Sequence, residues 1–114
     1  MGRQPGPRMT LPTQLVLRAL LAEPAEEMYG LQICTEAGLP SGTIHPILAR
    51  LEGLGWLESS WEDTARAHSE GRPRRRYYRL TADGAERARI ALARATTPVN
   101  AIAGLRPRAA GGPA

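Results

Sequence analysis

The stretch that decides the fold is AGLPSGTIHPILARLEGLG, residues 37–55. Gly38 can take a left-handed conformation and Pro40 cannot continue a helix, so a preceding helix is predicted to end here. Ser41 is a favoured N-cap for a new helix. Apolar residues of this new helix recur at spacings of three and four and so share one face: Ile44, Ile47, Leu48, Leu51 and Leu54. Two helices joined by a short glycine-containing turn are therefore predicted.

Upstream of this unit the sequence predicts two further helical segments. Residues 10–22 carry apolar side chains at helical spacing and end before Pro24. Glu26 and Glu27 place negative charge at the start of a short second helix, where the helix dipole favours it. The inward positions of this second helix are predicted to be Tyr29, Leu31 and Cys34.

Downstream, the period of the apolar residues changes from helical to alternating. Residues 56–62 (WLESSWE) predict a strand, and residues 75–80 (RRYYRL) predict its partner in a hairpin. The 12 residues between them, 63–74, are polar and contain Gly and Pro, a length that indicates a functional or mobile loop. Thr81 caps a last helix with a narrow stripe of small residues, which Pro98 is expected to end.

The distribution of charge indicates a polyanionic partner. The chain has 15 basic residues, all of them Arg, and 11 acidic ones, for a net charge of +4. Five of the Arg lie within residues 72–79, which contain no acid, whereas residues 19–36 contain four acids and no base. Such a basic stripe is typical of nucleic-acid binding. The use of Arg in place of Lys throughout is equally well explained by the composition of the source genome.

The sequence also argues against several classes of protein. The single cysteine, Cys34, cannot form an internal disulfide, and neither it nor His68 lies at a metal-ligand spacing from His45, so no metal site is expected. No catalytic triad, Gly-rich phosphate loop or spaced carboxylate pair is present, so neither an enzyme nor a cofactor is expected. No secretory signal or membrane-spanning apolar run is visible, so the expected location is the cytoplasm, away from membranes.

The third helix and the basic loop together meet the physical demands of reading DNA. A recognition helix must fit the major groove and present short polar side chains near its start, with positive charge beside it for the flanking phosphates. Thr43, His45 and Arg50 meet the first demand. The second is met by loop arginines, which can also enter a minor groove: Arg72, Arg74, Arg75 and Arg76.

The order of the elements predicts an α+β, mostly helical fold, the winged helix-turn-helix, with three helices, a two-stranded β wing and a C-terminal dimerisation helix. The chain has 114 residues and leaves little room for a second domain. We expect a flexible tail over residues 1–9, a DNA-binding domain over 10–81, a dimerisation helix over 82–97 and a disordered tail over 98–114.

Four motifs in this order resemble the PadR family of bacterial transcriptional regulators: MYGL at 28–31, SGTIHPILARLE at 41–52, GWL at 55–57 and GRPRRRYYRLT at 71–81. The resemblance covers roughly residues 10–95. It implies a winged helix-turn-helix that dimerises through its first and C-terminal helices and usually represses transcription from a palindromic operator. It also implies that the segment around Ser41 to Arg50, which includes Gly42 and Pro46, reads bases of double-stranded DNA, and that the wing arginines contact the backbone or minor groove.

Two departures from the family pattern limit what the resemblance carries over. The family commonly has Tyr in the recognition helix where this chain has His45, which is smaller and carries ring nitrogens, so operator preference and pH sensitivity are not inferred. The chain matches the short form of the family, in which ligand binding is not uniform. A small-molecule effector is therefore left unassigned.

Several residues have more than one interpretation. Trp56 and Trp61 either stack on a ligand between subunits or cover the hairpin by packing, and packing is favoured. The small-residue stripe of the last helix is either an intramolecular or a dimer seam, and the dimer is favoured because one subunit offers few partners. The predicted dimer or ligand surface thus comprises Leu15, Trp56, Trp61, Ala88 and Leu92.

Three smaller alternatives also stay open. Arg79 contacts DNA or pairs across the strands with Glu58 or Glu62. Cys34 is interpreted as a small hydrophobic residue rather than a redox switch. The rival function is a winged-helix module that binds a protein through its acidic second helix or its Trp surface and does not read DNA.

Overall fold

The computed structural model describes residues 6–105 and the side chains of residues 6–95. Within that range helices pack against a small antiparallel sheet. The elements in chain order are α1 (Leu11–Leu21), β1 (Met28–Tyr29), α2 (Gly30–Ala37), α3 (Ser41–Gly53), β2 (Leu57–Trp61), α4 (Thr64–Ser69), β3 (Arg76–Leu80) and α5 (Ala82–Leu105). Residues 1–5 of the predicted N-terminal tail and residues 106–114 of the predicted C-terminal tail lie outside the described residues.

The turn between α2 and α3 forms as predicted. Gly38 has a φ of 72°, and its N–H donates to the carbonyl of Cys34 at 2.8 Å, which ends α2. The helix α3 then begins at Ser41, one residue earlier than a Ser41 cap would give, because the Pro40 carbonyl accepts the first hydrogen bonds of the helix. Its apolar face packs inward through Ile44, Leu48 and Leu51.

The second helix differs from the prediction in its start and in its buried face. It begins at Gly30 rather than near Glu26, because the two residues before Gly30 form β1 and pair with β3. That pairing sets the rotation of the helix. Ile33 is fully buried, whereas Leu31, which was expected to face inward, is 70% exposed and Cys34 is half-buried.

The sheet has three strands rather than the two predicted, in the order β1-β3-β2. Both pairings are antiparallel, with Met28 opposite Tyr78 and Leu57 opposite Leu80. A strand of two residues is too short to show an alternating pattern, so β1 could not be recognised from the sequence. The predicted loop 63–74 also contains a short helix, α4, whose residue Ala67 is buried.

The small-residue stripe of α5 is a seam within one chain. Ala85, Ala88 and Leu92 are buried in the single subunit and join a core cluster that includes Val16 and Leu17 of α1. The prediction that these residues face a second subunit is therefore wrong. Small side chains allow α5 to lie close against α1 and β3, so one subunit does offer enough packing partners for this stripe.

The last helix also extends beyond its predicted end, since α5 continues through Pro98 to Leu105. A proline removes one intrahelical hydrogen bond and kinks a helix, but it does not force the helix to end there. Among the described residues no helix has the length and apolar character that crossing a bilayer requires.

The start of α5 is fixed against the turn that follows α3. Thr81 receives a hydrogen bond on its Oγ1 from the Gly84 N–H at 2.8 Å and donates from the same oxygen to the Gly55 carbonyl at 2.9 Å. The Thr81 N–H donates to the Trp56 carbonyl at 2.9 Å. A Cβ added to Gly84 would fall on the Trp56 carbonyl oxygen and lie 2.6 Å from the Trp56 Cα. Glycine is therefore required at this position.

Candidate nucleic-acid interface

One face of α3 is open to solvent along its whole length. Successive helical residues are about 100° apart around the axis, so an arc of about 160° from His45 to Thr43 lies opposite the buried residues. Exposed residues between these two limits are Gly42, Pro46, Ala49, Arg50 and Gly53. The middle of the arc has little side-chain bulk, which allows the helix backbone to approach another surface closely.

The predicted contact residues of α3 all lie on or beside this open face. Ser41, Gly42, His45, Pro46 and Arg50 are exposed, and Thr43 is half-buried. The His45 ring lies against the start of α2, where a Cβ added to Gly30 would be 3.2 Å from its Cε1 atom. The Arg50 guanidinium has no ion-pair or hydrogen-bond partner among residues 6–95. It is therefore free to bind an external group.

The loop beside β3 is held in place by a buried carboxylate, Glu62. Its side chain is 3% exposed and accepts two hydrogen bonds from the Arg72 guanidinium, at 2.6 and 2.8 Å. It also accepts a hydrogen bond from the Arg75 N–H at 3.1 Å. Arg72 pairs in addition with Glu70 at 3.0 Å. Such a bidentate pair fixes the geometry of both partners, so this contact joins the two ends of the wing loop.

The contact between Glu62 and Arg72 shifts the pKa of both residues. Hydrogen bonding by Arg72 lowers the pKa of Glu62 from 4.5 to about 2, against the opposing effect of desolvation. The same contact raises the pKa of Arg72 above its ordinary value. The pair is thus ionised at neutral pH, and Arg72 has its guanidinium occupied inside the protein.

Two other wing arginines flank an exposed tryptophan. The guanidinium carbons of Arg74 and Arg76 lie 5.4 and 5.1 Å from the centre of the Trp61 ring, which is 54% exposed. Arg74 also donates from Nε to the Glu62 carbonyl at 2.9 Å. Arg76 donates to Ser59 Oγ at 2.7 Å. The wing therefore presents positive charge and an aromatic ring together.

The fourth arginine connects the wing to α2. The Arg75 guanidinium lies 3.9 Å from the centre of the Tyr29 ring, a cation–π contact, and Tyr29 also packs edge-on against Tyr77. Tyr29 directly precedes Gly30, which His45 covers. The wing thus contacts the residue that precedes α2, and the start of α2 lies beside His45 of α3.

The residues predicted to form a dimer or ligand surface are not brought together at the surface. Trp56, Ala88 and Leu92 are buried in one subunit, Leu15 is half-buried, and Trp61 belongs to the wing. Trp56 therefore packs in the core, as favoured. Arg79 pairs with Glu58 at 2.9 Å, the first of the two partners considered for it. No group of three or more His, Cys, Asp or Glu residues suited to a metal ion occurs among the described residues.

Glu62 and Tyr29 are the site residues that sequence reasoning missed. Glu62 was assigned to the alternating pattern of a strand, but β2 ends at Trp61, and the side chain turns inward. Asp63 followed by Thr-Ala-Arg-Ala is a possible helix start that signals α4 and hence a structured loop. No sequence signal links Tyr29 to Arg75, because their contact depends on the pairing of β1 with β3.

The sequence profile of the transcriptional regulator PadR-like family matches residues 16–90. The chain belongs to the PadR-like family. This match bears out the resemblance carried by the four motifs. The members of this family are transcriptional regulators, so the PadR-like chain is a regulator and not an enzyme.

Solved structures similar to this PadR-like chain agree on the fold. A PadR family transcription regulator from Clostridium difficile has 22% identity and a TM-score of 0.63, with 83% of this chain and 96% of the other covered. A PadR-like transcriptional regulator from Bacillus cereus has 21% identity and a TM-score of 0.60, with 85% and 94% covered. A transcriptional regulator from Clostridium thermocellum has 22% identity and a TM-score of 0.62, with 82% and 91% covered.

No curated protein matches the sequence of this PadR-like chain. At these identities the structural neighbours establish the fold alone, and the predicted winged helix-turn-helix is confirmed.

Proposed function

We propose that the chain is a sequence-specific DNA-binding regulator that acts as a homodimeric repressor on an inverted repeat. In this proposal α3 enters the major groove, and the wing lies on the flanking backbone or in the adjacent minor groove. The observation that carries the proposal is the open face of α3, which holds an unpartnered Arg50 and adjoins a wing fixed by Glu62.

The proposal assigns different tasks to the helix and to the wing. Ser41, Thr43, His45 and Arg50 supply hydrogen-bonding groups to base edges, and Arg suits guanine in particular. The small or flat residues Gly42 and Pro46 allow close approach of the helix. The wing residues Arg74, Arg75 and Arg76 contact phosphates or the minor groove. Arg72 is reassigned to holding the loop, because its guanidinium already binds Glu62 and Glu70.

No effector belongs to this proposal. Three residues of the predicted ligand surface, Trp56, Ala88 and Leu92, are buried within one subunit and cannot be reached without opening the core. The alternative of a protein-binding module rests on the acidic residues at and before α2 or on the Trp surface, of which Trp61 is exposed and Trp56 is buried. The open face of α3 favours DNA over that alternative.

The test is a fluorescence-anisotropy titration of the full chain against duplexes from its own upstream region and shuffled duplexes, at several salt concentrations. Salt-dependent binding that prefers one sequence supports the proposal. A salt dependence without any sequence preference would indicate architectural binding. No binding in dilute salt would favour the protein-binding alternative.

Variants test the division of tasks. Arg50→Ala is expected to cost about 1–3 kcal/mol on the preferred duplex and little on shuffled ones. Arg74→Ala is expected to weaken binding to all duplexes and to make the salt dependence shallower by about 0.9 for each lost phosphate contact, about 1.8 for a dimer. Arg79→Ala, which removes an arginine beside Glu26 and Glu27, is the control for the loss of one positive charge. An equal loss on both kinds of duplex for Arg50→Ala would contradict the assignment.

A further inference from the structure

The segment before α1 has a defined path along the domain, although it forms no helix or strand. Gln14, which is 6% exposed, donates from Nε2 to the Met9 carbonyl at 2.9 Å. Thr10 caps α1 by accepting a hydrogen bond on Oγ1 from the Thr13 N–H at 3.3 Å. The Met9 side chain packs against the core. Residues 6–10, which we call the arm, are therefore anchored at their C-terminal end.

The arm lies beside the open face of α3. Pro7, Arg8 and Thr10 of the arm, together with Pro46 and Arg50 of α3, line a single cleft of about 350 Å³. Thr13, Ile47 and Leu51 complete the lining, which contains no carboxylate. The cleft thus places the arm next to the part of α3 that carries its free arginine.

The only charged residues that line the cleft are two arginines, Arg8 and Arg50. Arg8 is exposed and, like Arg50, has no ion-pair or hydrogen-bond partner among residues 6–95. The sequence contains no acidic residue before Glu23, while Arg3 precedes the arm. Two unpaired guanidinium groups that border one cleft favour an anion there.

The arm and the wing lie on different sides of the open face of α3. His45 lies on the side of α3 that faces α2 and the wing, and Arg50 lies on the side that borders the arm. The two residues are five positions apart and therefore about 140° apart around the helix axis. A duplex that lies on the face between them would have its backbone within reach of both. Phosphate contacts of this kind fix the position of a recognition helix in its groove.

We propose that the arm is a second backbone clamp, in which Arg8 binds a DNA phosphate on the side of α3 away from the wing. This inference rests on the proposed function and adds a contact that neither the helix nor the wing provides. Arg8 contributes affinity without sequence preference, because every nucleotide presents the same phosphate group.

The test compares the full-length chain with its Arg8→Gln variant on the preferred and shuffled duplexes, over a range of NaCl concentrations. The variant is expected to bind both duplexes more weakly by the same factor. The slope of log K against log salt is negative, and it should become shallower by about 0.9 for each arm that contacts a phosphate, about 1.8 for a dimer. Arg8→Lys should restore most of the slope, because the charge returns. Arg79→Gln is the matched control and should leave the slope of the parent chain almost unchanged.

The outcomes separate this inference from the function on which it rests. If the parent chain binds DNA with sequence preference and Arg8→Gln has the same affinity and slope, the arm proposal is wrong and the proposed function stands. If Arg8→Gln changes the sequence preference rather than the salt slope, Arg8 reads bases and the phosphate assignment is wrong. If the parent chain binds no duplex, both are wrong. Circular dichroism should give equal melting curves for all variants, because Arg8 and Arg79 are exposed.

Discussion

Glu62 accepts hydrogen bonds from Arg72 and from the Arg75 N–H, and its own N–H donates to the Arg75 carbonyl at 2.8 Å. Two segments that are ten or more residues apart in the sequence are thereby joined at one carboxylate. The wing arginines that we propose to contact DNA extend from this joined loop, so their positions depend on a residue that itself faces inward.

The stability of the wing should therefore depend on acid. The pKa of Glu62 is lowered from 4.5 to about 2 in the folded chain, so its contribution is complete above pH 4.5 and is lost as the pH falls towards 2. Glu62→Gln should lower the urea midpoint at pH 7, and the difference from the parent chain should shrink as the pH falls below 4.5. Urea titrations monitored by tryptophan fluorescence, to which Trp61 beside Glu62 contributes, measure this.

Glu58→Gln is the control, since Glu58 forms an exposed pair with Arg79, and exposed pairs contribute little. Equal effects of the two substitutions at pH 7 would show that burial of the Glu62 pair is unimportant.

Gly84 is the second residue with a large expected effect. Ala has a helix propensity about 1 kcal/mol better than Gly, yet Gly84→Ala should destabilise the fold by about 1–3 kcal/mol, because its Cβ would collide with the Trp56 backbone. Gly42→Ala is the matched control, because a Cβ there meets nothing within 4 Å. Urea unfolding measures both. A Gly84→Ala chain as stable as the Gly42→Ala chain would contradict the observed packing.

These residues mark the limit of what the sequence can predict. The open and buried faces of α3 follow from a helical period that is legible in residues 41–54, and the four motifs led to the correct family. The pairing of Glu62 with Arg72 and the approach of Gly84 to Trp56 join residues 10 and 28 positions apart. Only the assembled fold determines such contacts, so a single sequence shows a charged loop and an ordinary glycine instead.

At the scale of the element, the open face of α3 is notable for how little side chain it carries. Gly42 and Ala49 lie near the middle of the arc between His45 and Thr43, so the helix axis can lie deep in a groove. The apolar period of α3 predicts which face is open. It does not predict how closely that face can approach a duplex, because small exposed residues add nothing to the apolar period.

A bulky residue in the middle of this face should block DNA without harming the fold. Gly42→Leu is expected to lower the affinity for the preferred duplex about tenfold, by the steric cost of an inserted side chain. The variant should unfold at a temperature no lower than that of the parent chain, since no atom lies within 4 Å of the added Cβ and Leu has the better helix propensity. Gly42→Ala, with a much smaller side chain, should bind nearly as well as the parent. Unchanged affinity for Gly42→Leu would show that α3 does not approach the duplex closely.

At the scale of the whole molecule, the burial of Ala88 and Leu92 leaves other residues of α1 and α5 for a proposed dimer. Leu11 is 62% exposed and Ile90 is 45% exposed, although both are large and apolar. The stripe of smallest residues on α5, which the sequence favours as a dimer seam, packs inside one subunit. The apolar residue left outside that stripe could be identified only once the packing of α5 was known.

We expect Ile90→Glu to shift the chain from dimer to monomer, because a charge would be buried in an apolar contact. Sedimentation or light scattering measures the mass, and Leu31→Glu, an equally drastic change on α2, is the control. Dimers that persist in Ile90→Glu would place the subunit contact elsewhere.

In the proposed dimer the two recognition helices should be about 34–36 Å apart, so five base pairs inserted between the half-sites should abolish tight binding.

The hydrogen bonds of Thr81 have a mechanical consequence. They attach the first turn of α5 to the two residues, Gly55 and Trp56, that link α3 to β2. These bonds couple the direction of α5 to the position of the segment that follows α3. In the proposed dimer, the angle between the two α5 helices would therefore set the distance between the two copies of α3.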